Sequence, residues 1–502
     1  MTASSSPNHS ENRVATTTPL TTTPPTTTPP TTTPPGPVAP GRPSVWGDET
    51  AVVDEAIEWV RRRVIRPSDP KSTARSAADL AAAAGPTITA GGIGGAAALR
   101  VFDEVLAPAT RAQDDPLNLA YVPAAPTRAA IAFELVTSAA NIFAGLWEAG
   151  AGAIYAENEA LAWLVRLLGW PATAGGCFVS GGTAGNLSAL VAARAAAMGR
   201  RSACKKTAPS AGGPSEHLGG GRWKLACTAD AHSSIRSVAK VMDVDVAEVP
   251  EDDQGRLTGS ALARVLADQR DVFAVVASAG TTNAGVVDDL AGVADVANAA
   301  GVWMHVDGAY GGAALAAPSV RHLFAGIERA DSFIVDPHKW LFAPYDCCAL
   351  LYRDPALARA AHAQNAGYLD DVDRHQWNPS DLAVHLSRRA RGLPFWFSLA
   401  THGTDRYTAA IEQGLATARE VAAAIDAAPH LHLLSAPSLS VLLFERPGWD
   451  EDAYREWSAR LAHEGALLCV PTRWQGRMVL RLAFVNPATD ARRVVDLLDT
   501  LA

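Results

Sequence analysis

The stretch DPHKW at residues 336–340 follows directly on the short, mostly apolar run SFIV at residues 332–335. A second stretch, HVDGAY at residues 305–310, closes a similar run. Short runs rich in apolar and β-branched residues are typical of strands buried in a parallel sheet. Because ligands of open α/β sheets collect at the carboxyl ends of strands, we expect Lys339 and Asp307 at one edge of the same sheet.

A lysine and a carboxylate at one sheet edge suit pyridoxal 5'-phosphate. The amine of Lys339 would hold the aldehyde of this cofactor as a Schiff base, and Asp307 would keep the pyridine nitrogen protonated, so that the ring accepts electrons. Each residue alone is weak support, because a buried Asp is often only a loop cap and a Lys after a strand is usually solvated. Residues at other strand ends that also suit this cofactor strengthen the interpretation of the pair.

Size, charge and cysteine content exclude several classes of protein. The chain has 502 residues, enough for two or three domains and a large core. A net charge of −9, with no basic block longer than RRR at residues 61–63, argues against nucleic acid as a partner. No apolar run is long enough to span a membrane and no signal peptide is visible, so a cytoplasmic protein without a membrane partner is expected. Six cysteines without CxxC spacing favour a reducing compartment and predict no metal site.

Sequence patterns divide the chain into four predicted parts. Residues 1–45 carry a TTTPP repeat with almost nothing to bury, which predicts a disordered tail. Residues 46–114 follow a helical pattern. Residues 115–355 alternate apolar runs with helical segments, which predicts an α/β domain built on a large, mainly parallel seven-stranded sheet. Residues 356–502 predict a smaller C-terminal α+β domain that includes a mobile loop at 369–386.

Nine strands are predicted, seven in the larger domain and two in the smaller. They are Cys177–Val179, Trp223–Cys227, Asp245–Val249, Phe273–Ala277, Val302–Val306, Ser332–Val335, Ala349–Tyr352, Leu439–Phe444 and Met478–Phe484. The smaller domain is also predicted to hold a long helix at Gly403–Ala427 and a closing helix from Asp490.

Three further strand ends present groups that suit the same cofactor. The run GCFVSGGTAGN at residues 176–186 predicts a strand, a turn and a helix whose first N–H groups, at Gly182 and Thr183, would bind the phosphate. A turn made only for packing is the alternative. His232 follows a second strand and would stack on the ring, although a single histidine is more often structural. Thr282 follows a third strand and would contact the ring or its substituents.

Over about residues 115–500 the sequence resembles the group II pyridoxal-phosphate-dependent amino-acid decarboxylases, which include aromatic-L-amino-acid, glutamate and diaminobutyrate decarboxylases. The resemblance is dense over residues 302–352, where HVDGAYGG, ADSFIVDPHKW and DCCALLYR follow in family order and spacing. It implies the aspartate-aminotransferase fold (fold type I) and a homodimer with active sites at the subunit interface. It also implies decarboxylation of an L-amino acid to the corresponding amine and CO2.

The resemblance implies a role for each matching residue. Lys339 matches the Schiff-base lysine, Asp307 the pyridinium partner and His338 the histidine beside the lysine. His232 matches the residue stacked on one ring face, and Ala309 lies against the other face. Gly182, Thr183, Thr282 and Asp336 match further cofactor-site positions. Tyr121 and Pro123 match a segment that contacts the substrate. Trp147 matches an aromatic position in a stretch that reaches towards the partner subunit.

Two departures from the family pattern stand out. Many relatives carry Thr-Glu-Ala-Asn where this chain has TAGN at residues 183–186, and we expect little functional cost. Aromatic decarboxylases also carry a loop tyrosine that is thought to return a proton after CO2 leaves, whereas residues 369–386 contain no tyrosine. His375, His385 or a water would then supply the proton, or slow protonation would let O2 divert the reaction to an aldehyde.

Two questions stay open at this point. The product is an amine or, by oxidative deamination, an aldehyde. A non-catalytic scaffold that keeps the fold is a third alternative, against which the intact set of cofactor residues argues. Neutral aromatic or aliphatic substrates fit Tyr121, Val122, Phe143 and Trp147 better than glutamate does, because no cationic cluster lies near Tyr121 in the sequence. Apolar residues in this stretch equally suit the protein core.

Overall fold

A computed structural model describes residues 50–66, 69–71, 73–206, 221–364, 373 and 375–502. The predicted tail at 1–45 lies outside the described residues, as do 369–372 and 374 of the predicted loop. Contacts divide the chain into two units, residues 1–53 and 54–502, and of the first only the start of a helix is described. The predicted boundaries near residues 114 and 355 stay predictions.

The helices and strands of the described residues are the following. The α-helices are α1 (Thr50–Ile65), α2 (Ala77–Ala84), α3 (Gly95–Val101), α4 (Arg128–Ala140), α5 (Trp147–Leu168), α6 (Gly182–Lys206), α7 (Ser233–Val241), α8 (Gly259–Asp268), α9 (Leu290–Ala300), α10 (Pro355–His362), α11 (Leu393–His402), α12 (Thr404–Ala427), α13 (Glu451–Glu464) and α14 (Ala491–Leu498). The strands are β1 (Gly175–Val179), β2 (Lys224–Cys227), β3 (Asp245–Glu248), β4 (Val272–Ser278), β5 (Trp303–Asp307), β6 (Ser332–Val335), β7 (Cys348–Tyr352), β8 (His432–Leu433), β9 (Val441–Glu445), β10 (Thr472–Trp474) and β11 (Arg477–Ala483).

Seven strands form the central sheet in the order β1-β7-β6-β5-β4-β2-β3. β7 runs antiparallel to its neighbours β1 and β6, and the pairs from β6 across to β3 are parallel. The predicted α/β fold with a mainly parallel seven-stranded sheet is therefore confirmed. The strands with continuous apolar sequence, such as β4 and β5, are buried along their whole length because helices cover both sheet faces.

The two faces of the sheet carry separate apolar clusters. On β5, Met304 and Val306 pack into the cluster that contains α5, α8 and α9, whereas Trp303 packs into the cluster that contains α6, α7 and α10. This alternation follows from the two-residue repeat of a strand. The result is a three-layer arrangement in which α6 lies across the face that also bears Asp307.

A second sheet occupies the C-terminal part of the chain. Its order is β10-β11-β9-β8, all antiparallel, and α12, α13 and α14 share an apolar cluster with it. This is the α+β arrangement predicted for that part. The strands β8 and β10 were not predicted, because two or three residues are too short to show a periodic pattern.

Residues 377–383 of the predicted mobile loop are packed against the rest of the structure. Asn378, Asp381 and Leu382 are buried, and Trp377 Nε1 donates a hydrogen bond to the Gly176 carbonyl at 3.1 Å. The mobility of residues 369–386 stays a prediction. None of the described helices is long and apolar enough to cross a membrane.

A buried ion pair joins α5 to the segment before α11. Arg388 Nη2 donates to Glu157 Oε1 at 2.7 Å, and the two side chains are 1% and 2% exposed. The Gly392 amide donates to the same carboxylate oxygen at 2.8 Å, and Arg388 Nη1 donates to the Ala144 carbonyl at 2.8 Å. The pair therefore anchors the chain that follows the predicted loop.

Replacing Glu157 with leucine is expected to lower the free energy of unfolding by about 3–5 kcal/mol, because Arg388 is left charged and buried without its counterion. Urea denaturation at one fixed protein concentration measures the change. The double variant Glu157→Leu/Arg388→Met should recover a large part of the loss. A single-variant loss below about 1 kcal/mol would contradict this account of the pair.

Candidate active site

The predicted site residues come together because the parallel strands end at one edge of the sheet. β5 and β6 are paired with Asp307 opposite Ile334, so Asp307 and the residues that follow β6 leave the sheet side by side. A cavity of about 640 Å3 lies at this edge. Its lining includes eight predicted residues, namely Gly182, Thr183, His232, Asp307, Ala309, Asp336, His338 and Lys339.

The other four predicted residues do not line this cavity. The Tyr121 and Thr282 carbonyls both accept hydrogen bonds from the guanidinium of Arg481, at 2.7 Å from Nη1 and 3.0 Å from Nε. Pro123, two residues after Tyr121 in the sequence, is buried. The Trp147 amide donates to Asn378 Oδ1 at 2.9 Å. Substrate contacts by these residues stay predictions.

Lys339 and Asp336 form an ion pair in the cavity. Lys339 Nζ lies 3.0 Å from Asp336 Oδ2, and the Asp336 side chain is buried. Burial alone would lower the pKa of Lys339, but the charges of Asp336 and then Asp307 raise it above its usual value. Burial alone would raise the pKa of Asp336, but Lys339 and His338 lower it. The lysine is thus held as an ammonium group until a reaction partner takes its proton.

Asp307 is oriented by a donor at each oxygen. Asn186 Nδ2 donates to Oδ2 at 2.9 Å, and the Ala309 amide donates to Oδ1 at 3.1 Å. The residue is 7% exposed, so its carboxylate is shielded from bulk water but borders the cavity. A carboxylate fixed in this way can hold a proton on a ring nitrogen placed against it.

The two histidines of the site have different surroundings. His232 caps the start of α7, and its Nδ1 accepts from the Ser234 amide at 3.3 Å. His338 Nδ1 lies 2.8 Å from the Cys347 carbonyl, and its Nε2 lies 3.6 Å from Asp336 Oδ2. Burial lowers the pKa of His338, and the charge of Asp336 opposes that shift. His338 is therefore held beside the lysine mainly in its neutral form.

The start of α6 provides a place for an anion. Its first N–H groups have no helical partner, and they open into the cavity directly after β1. A Cβ at Gly182 would lie 3.3 Å from Asp336 Oδ2, and one at Gly185 would lie 2.8 Å from Ile334 Cγ2. Glycine at these positions lets the helix start approach both the sheet and the cavity.

These features fit pyridoxal phosphate. One cavity offers an amine at Lys339, a fixed carboxylate at Asp307 and a helix start for a phosphate group. Its volume lies within the range of about 300–1,000 Å3 that is usual for small-molecule sites. His232 and Ala309, the residues predicted to lie against the two ring faces, line the same cavity.

Sequence reasoning missed several residues of this region. The ring of Tyr345 lies 4.6 Å from that of His338. Arg481 is a buried cation bonded to backbone carbonyls, and burial lowers its pKa to about 10. Asp346 lines the cavity and accepts from Arg391 Nε at 3.0 Å. Arg481 alone had a sequence signal, as an isolated charge within the apolar run MVLRLAF.

The two histidines that were considered as proton donors do not line the cavity. His375 is exposed, and its amide donates to Asp373 Oδ1. Burial, together with the charges of Arg388 and Arg391, lowers the pKa of His385 to about 4. A neutral imidazole with so low a pKa is a poor acid at neutral pH.

Comparison with known proteins gives one consistent family. The pattern described as "Pyridoxal-dependent decarboxylase conserved domain" matches residues 99–446. The chain is 30% identical over 402 residues to an aromatic-L-amino-acid decarboxylase of Bacillus atrophaeus, covering 77% of this chain and 80% of the relative. It is 34% identical over 387 residues to an L-2,4-diaminobutyrate decarboxylase of Rhizobium meliloti (strain 1021), covering 74% of each.

Solved structures show the same fold. The crystal structure of Oryza sativa TDC with PLP and tryptamine matches with a TM-score of 0.81 at 25% identity, over 92% of this chain and 98% of that one. Together with the mainly parallel seven-stranded sheet, this likeness confirms the expected fold type I. The match extends over both sheets, since it covers nearly the whole chain.

Proposed function

We propose that this chain, which belongs to the pyridoxal-dependent decarboxylase family, releases CO2 from an L-amino acid and forms the corresponding amine. It is an enzyme of the lyase class, and its cofactor is pyridoxal phosphate. The observation that carries the proposal is the single cavity shared by Lys339, Asp307 and the start of α6.

Each residue of the cavity has a task in this proposal. The bound cofactor supplies an electron-accepting ring next to the substrate carbon that loses its carboxylate. Lys339 would hold the cofactor aldehyde through Nζ and would release it to the substrate amine. Asp307 holds a proton at the pyridine nitrogen, His232 supports the ring face, and the start of α6 at Gly182 binds the phosphate.

Whether the product is an amine or an aldehyde depends on how fast the substrate carbon is protonated. After CO2 leaves, the substrate carbon must take up a proton before O2 reacts with it. Tyr345 stands 4.6 Å from His338 ring to ring, and burial raises the pKa of its hydroxyl, so the hydroxyl keeps its proton at neutral pH. Tyr345 is half exposed and lies outside the cavity lining, so in this proposal its proton reaches the cavity through His338, which lines it beside Lys339. This route supports an amine as the product despite the tyrosine-free loop.

Replacing Tyr345 with phenylalanine is expected to slow amine formation about 10- to 100-fold, because it removes the proton donor while keeping the ring. In air, part of the product should then become aldehyde, ammonia and hydrogen peroxide. Amine, aldehyde and peroxide are measured together, with and without O2. Tyr155→Phe on the surface of α5 is the control, and an unchanged amine rate in Tyr345→Phe would contradict the role of Tyr345.

The second candidate is decarboxylation coupled to oxidative deamination, which gives an aldehyde. The observation that favours it is the lack of a tyrosine in residues 369–386. The wild-type enzyme distinguishes the two, since the first function consumes no O2. Stoichiometric peroxide and aldehyde from the wild type would replace the amine proposal with this one.

A neutral L-amino acid with an aromatic or aliphatic side chain is the proposed substrate. Tyr121 and Phe143 are exposed in the single chain. Of the acidic groups among the described residues that line the cavity, Asp346 is the one not assigned to the cofactor, and it is paired with Arg391. The relatives act on aromatic amino acids and on 2,4-diaminobutyrate, so both classes belong in the assay. CO2 release across the twenty amino acids, diaminobutyrate and ornithine tests the choice.

A homodimer is the proposed assembly. Helices α2 and α3 and residues 54–65 of α1, all within the described chain, contain no buried residue. Ile57 and Ile65 are more than half exposed. Apolar side chains left exposed in this way are typical of a protein interface. The exposed His232 leaves the cavity open to a contribution from the second copy.

Sedimentation at micromolar concentration is expected to show a dimer. Ile57→Asp/Ile65→Asp should shift the protein towards the monomer, because it places charges in an apolar interface. Val241→Asp, at an exposed position on α7, is the control. A monomeric wild type would contradict the proposal.

A cytoplasmic location is the last part of the proposal. Five cysteines whose side chains the structure describes, Cys177, Cys227, Cys347, Cys348 and Cys469, are buried free thiols. Thiols in this state suit a reducing compartment, which supports that location.

A further inference from the structure

Five polar side chains lie in a row beneath the cavity, on the sheet face covered by α6. Trp303 Nε1 and His305 Nδ1 each lie 2.8 Å from Ser332 Oγ. His305 Nε2 lies 2.8 Å from Asn186 Oδ1, and Asn186 Nδ2 lies 2.9 Å from Asp307 Oδ2. His305 and Ser332 are 0% exposed and Asn186 is 1% exposed. The row thus connects the sheet interior to the carboxylate at the cavity.

The two ends of the row fix the direction of every hydrogen bond in it. The indole of Trp303 can only donate, and the carboxylate of Asp307 can only accept. Ser332 therefore receives from Trp303 and donates to His305 Nδ1. His305 then carries its hydrogen on Nε2 and donates to Asn186 Oδ1. The Asn186 amide must turn its Nδ2 towards Asp307.

The Asn186 amide is also linked, through Ser234, to His232, the residue proposed to support the ring face. Asn186 Nδ2 also donates to Ser234 Oγ at 3.0 Å, and Ser234 Oγ lies 2.8 Å from His232 Nδ1. Because the Ser234 amide points at His232 Nδ1, that nitrogen is an acceptor, and the Ser234 hydroxyl therefore donates its hydrogen to it. The Ser234 amide donates to the same nitrogen at 3.3 Å. His232 Nδ1 is therefore an acceptor, and the hydrogen of the neutral ring is on Nε2.

We propose that Asn186 is a positioning residue that orients Asp307 and His232 together, and that the Trp303–Ser332–His305 row fixes the orientation of its amide. This inference rests on the proposed function, which places the cofactor between those two residues. One side chain then aligns both the partner of the ring nitrogen and the support of the ring face. It also presents His232 to the cavity as the Nε2–H form.

A purely structural role accounts less well for this arrangement. A row of buried polar side chains in an apolar layer is costly unless each donor and acceptor is matched, and apolar residues would fill the space at lower cost. Here each donor has an acceptor, and every hydrogen bond is donated in the direction that leads from Trp303 to Asp307 at the cavity. Burial lowers the pKa of His305, against the charge of Asp307, which keeps the ring neutral as the row requires.

Asn186→Asp is the decisive variant, because it keeps size and shape but replaces the Nδ2 donor with an acceptor facing Asp307. The dissociation constant for pyridoxal phosphate is expected to rise about 10- to 100-fold. Asn118→Asp, at another buried asparagine away from the cavity, is the matched control and should stay within about threefold of the wild type.

The second readout needs no cofactor. Nitrogen NMR of the histidine-labelled apoprotein, assigned with His232→Gln, should show wild-type His232 with an unprotonated Nδ1 and a protonated Nε2. In Asn186→Asp the Ser234 hydroxyl turns to the new carboxylate, so the two tautomers of His232 should mix. If that variant does not fold, Asn186→Ser and the wild-type spectrum still provide the test.

The outcomes separate this inference from the proposed function. Weaker cofactor binding and a changed His232 signal in Asn186→Asp support it. Binding within about threefold of the wild type with an unchanged signal overturns it, while the proposed function stands. A protonated Nδ1 in wild-type His232 also overturns it. Failure of the wild type to bind the cofactor would instead refute the proposed function, and the apoprotein spectrum would still decide the inference.

Discussion

Replacing Lys339 with alanine is expected to abolish covalent cofactor capture and to lower the rate of CO2 release by at least about a thousandfold. The amine of Lys339 is the one that the structure places in the cavity, beside Asp336 and near Asp307. Without it, the cofactor loses its attachment and the exchange with substrate amine loses its starting point. Cofactor absorbance after gel filtration and CO2 release measure the two effects.

A matched control separates the loss of this amine from the loss of any lysine. Lys240 is exposed at the end of α7, and Lys240→Ala should keep full covalent binding and turnover. Substantial turnover by Lys339→Ala would remove the basis of the proposed mechanism. Dissociation of the cofactor from that variant is expected even when its fold, measured by circular dichroism, is unchanged.

Replacing Asp307 with asparagine is expected to lower the rate of CO2 release about 100- to 1,000-fold, with a smaller effect on covalent attachment at Lys339. The carboxylate favours the protonated ring nitrogen, whereas a neutral amide of the same shape does not. Because the ring then accepts electrons less readily, the loss should lie in kcat rather than in cofactor capture. Single-turnover kinetics with the fully loaded enzyme measure it.

Asp288 provides a control for the removal of a buried carboxylate. It accepts from two backbone amides away from the cavity, and burial raises its pKa to about 7, so it is already partly neutral. Asp288→Asn should keep turnover within about threefold of the wild type. An Asp307→Asn enzyme that retained most of its kcat would show that no charge is needed at that position.

The features that could be predicted from the sequence are those encoded by residues that are neighbours in the chain. The runs at 302–306 and 332–335 are apolar throughout, so their strands, their parallel pairing and the approach of Lys339 to Asp307 followed from the sequence. The glycines at 181 and 182 marked the helix start in the same way. These features require only neighbouring residues and general rules of sheet topology.

The features that were missed depend on contacts between distant parts of the chain. Asn186 and Asp307 are 121 positions apart, and their contact exists only because α6 packs across β5 and β6. Arg481 and Tyr121 are 360 positions apart. Tyr345 is close to Lys339 in sequence, but the contact of its ring with that of His338 depends on the path of the chain before β7. No periodic pattern encodes such contacts.

The most direct test of the account uses the small number of lysines. The chain contains six, Lys71, Lys205, Lys206, Lys224, Lys240 and Lys339. Borohydride reduction of the protein loaded with pyridoxal phosphate makes the bond to the reacting amine permanent, and peptide mass spectrometry then locates it. Stoichiometric label is expected on the peptide containing Lys339, whereas label on any of the other five lysines, or no label, would contradict Lys339 as the residue that binds the cofactor.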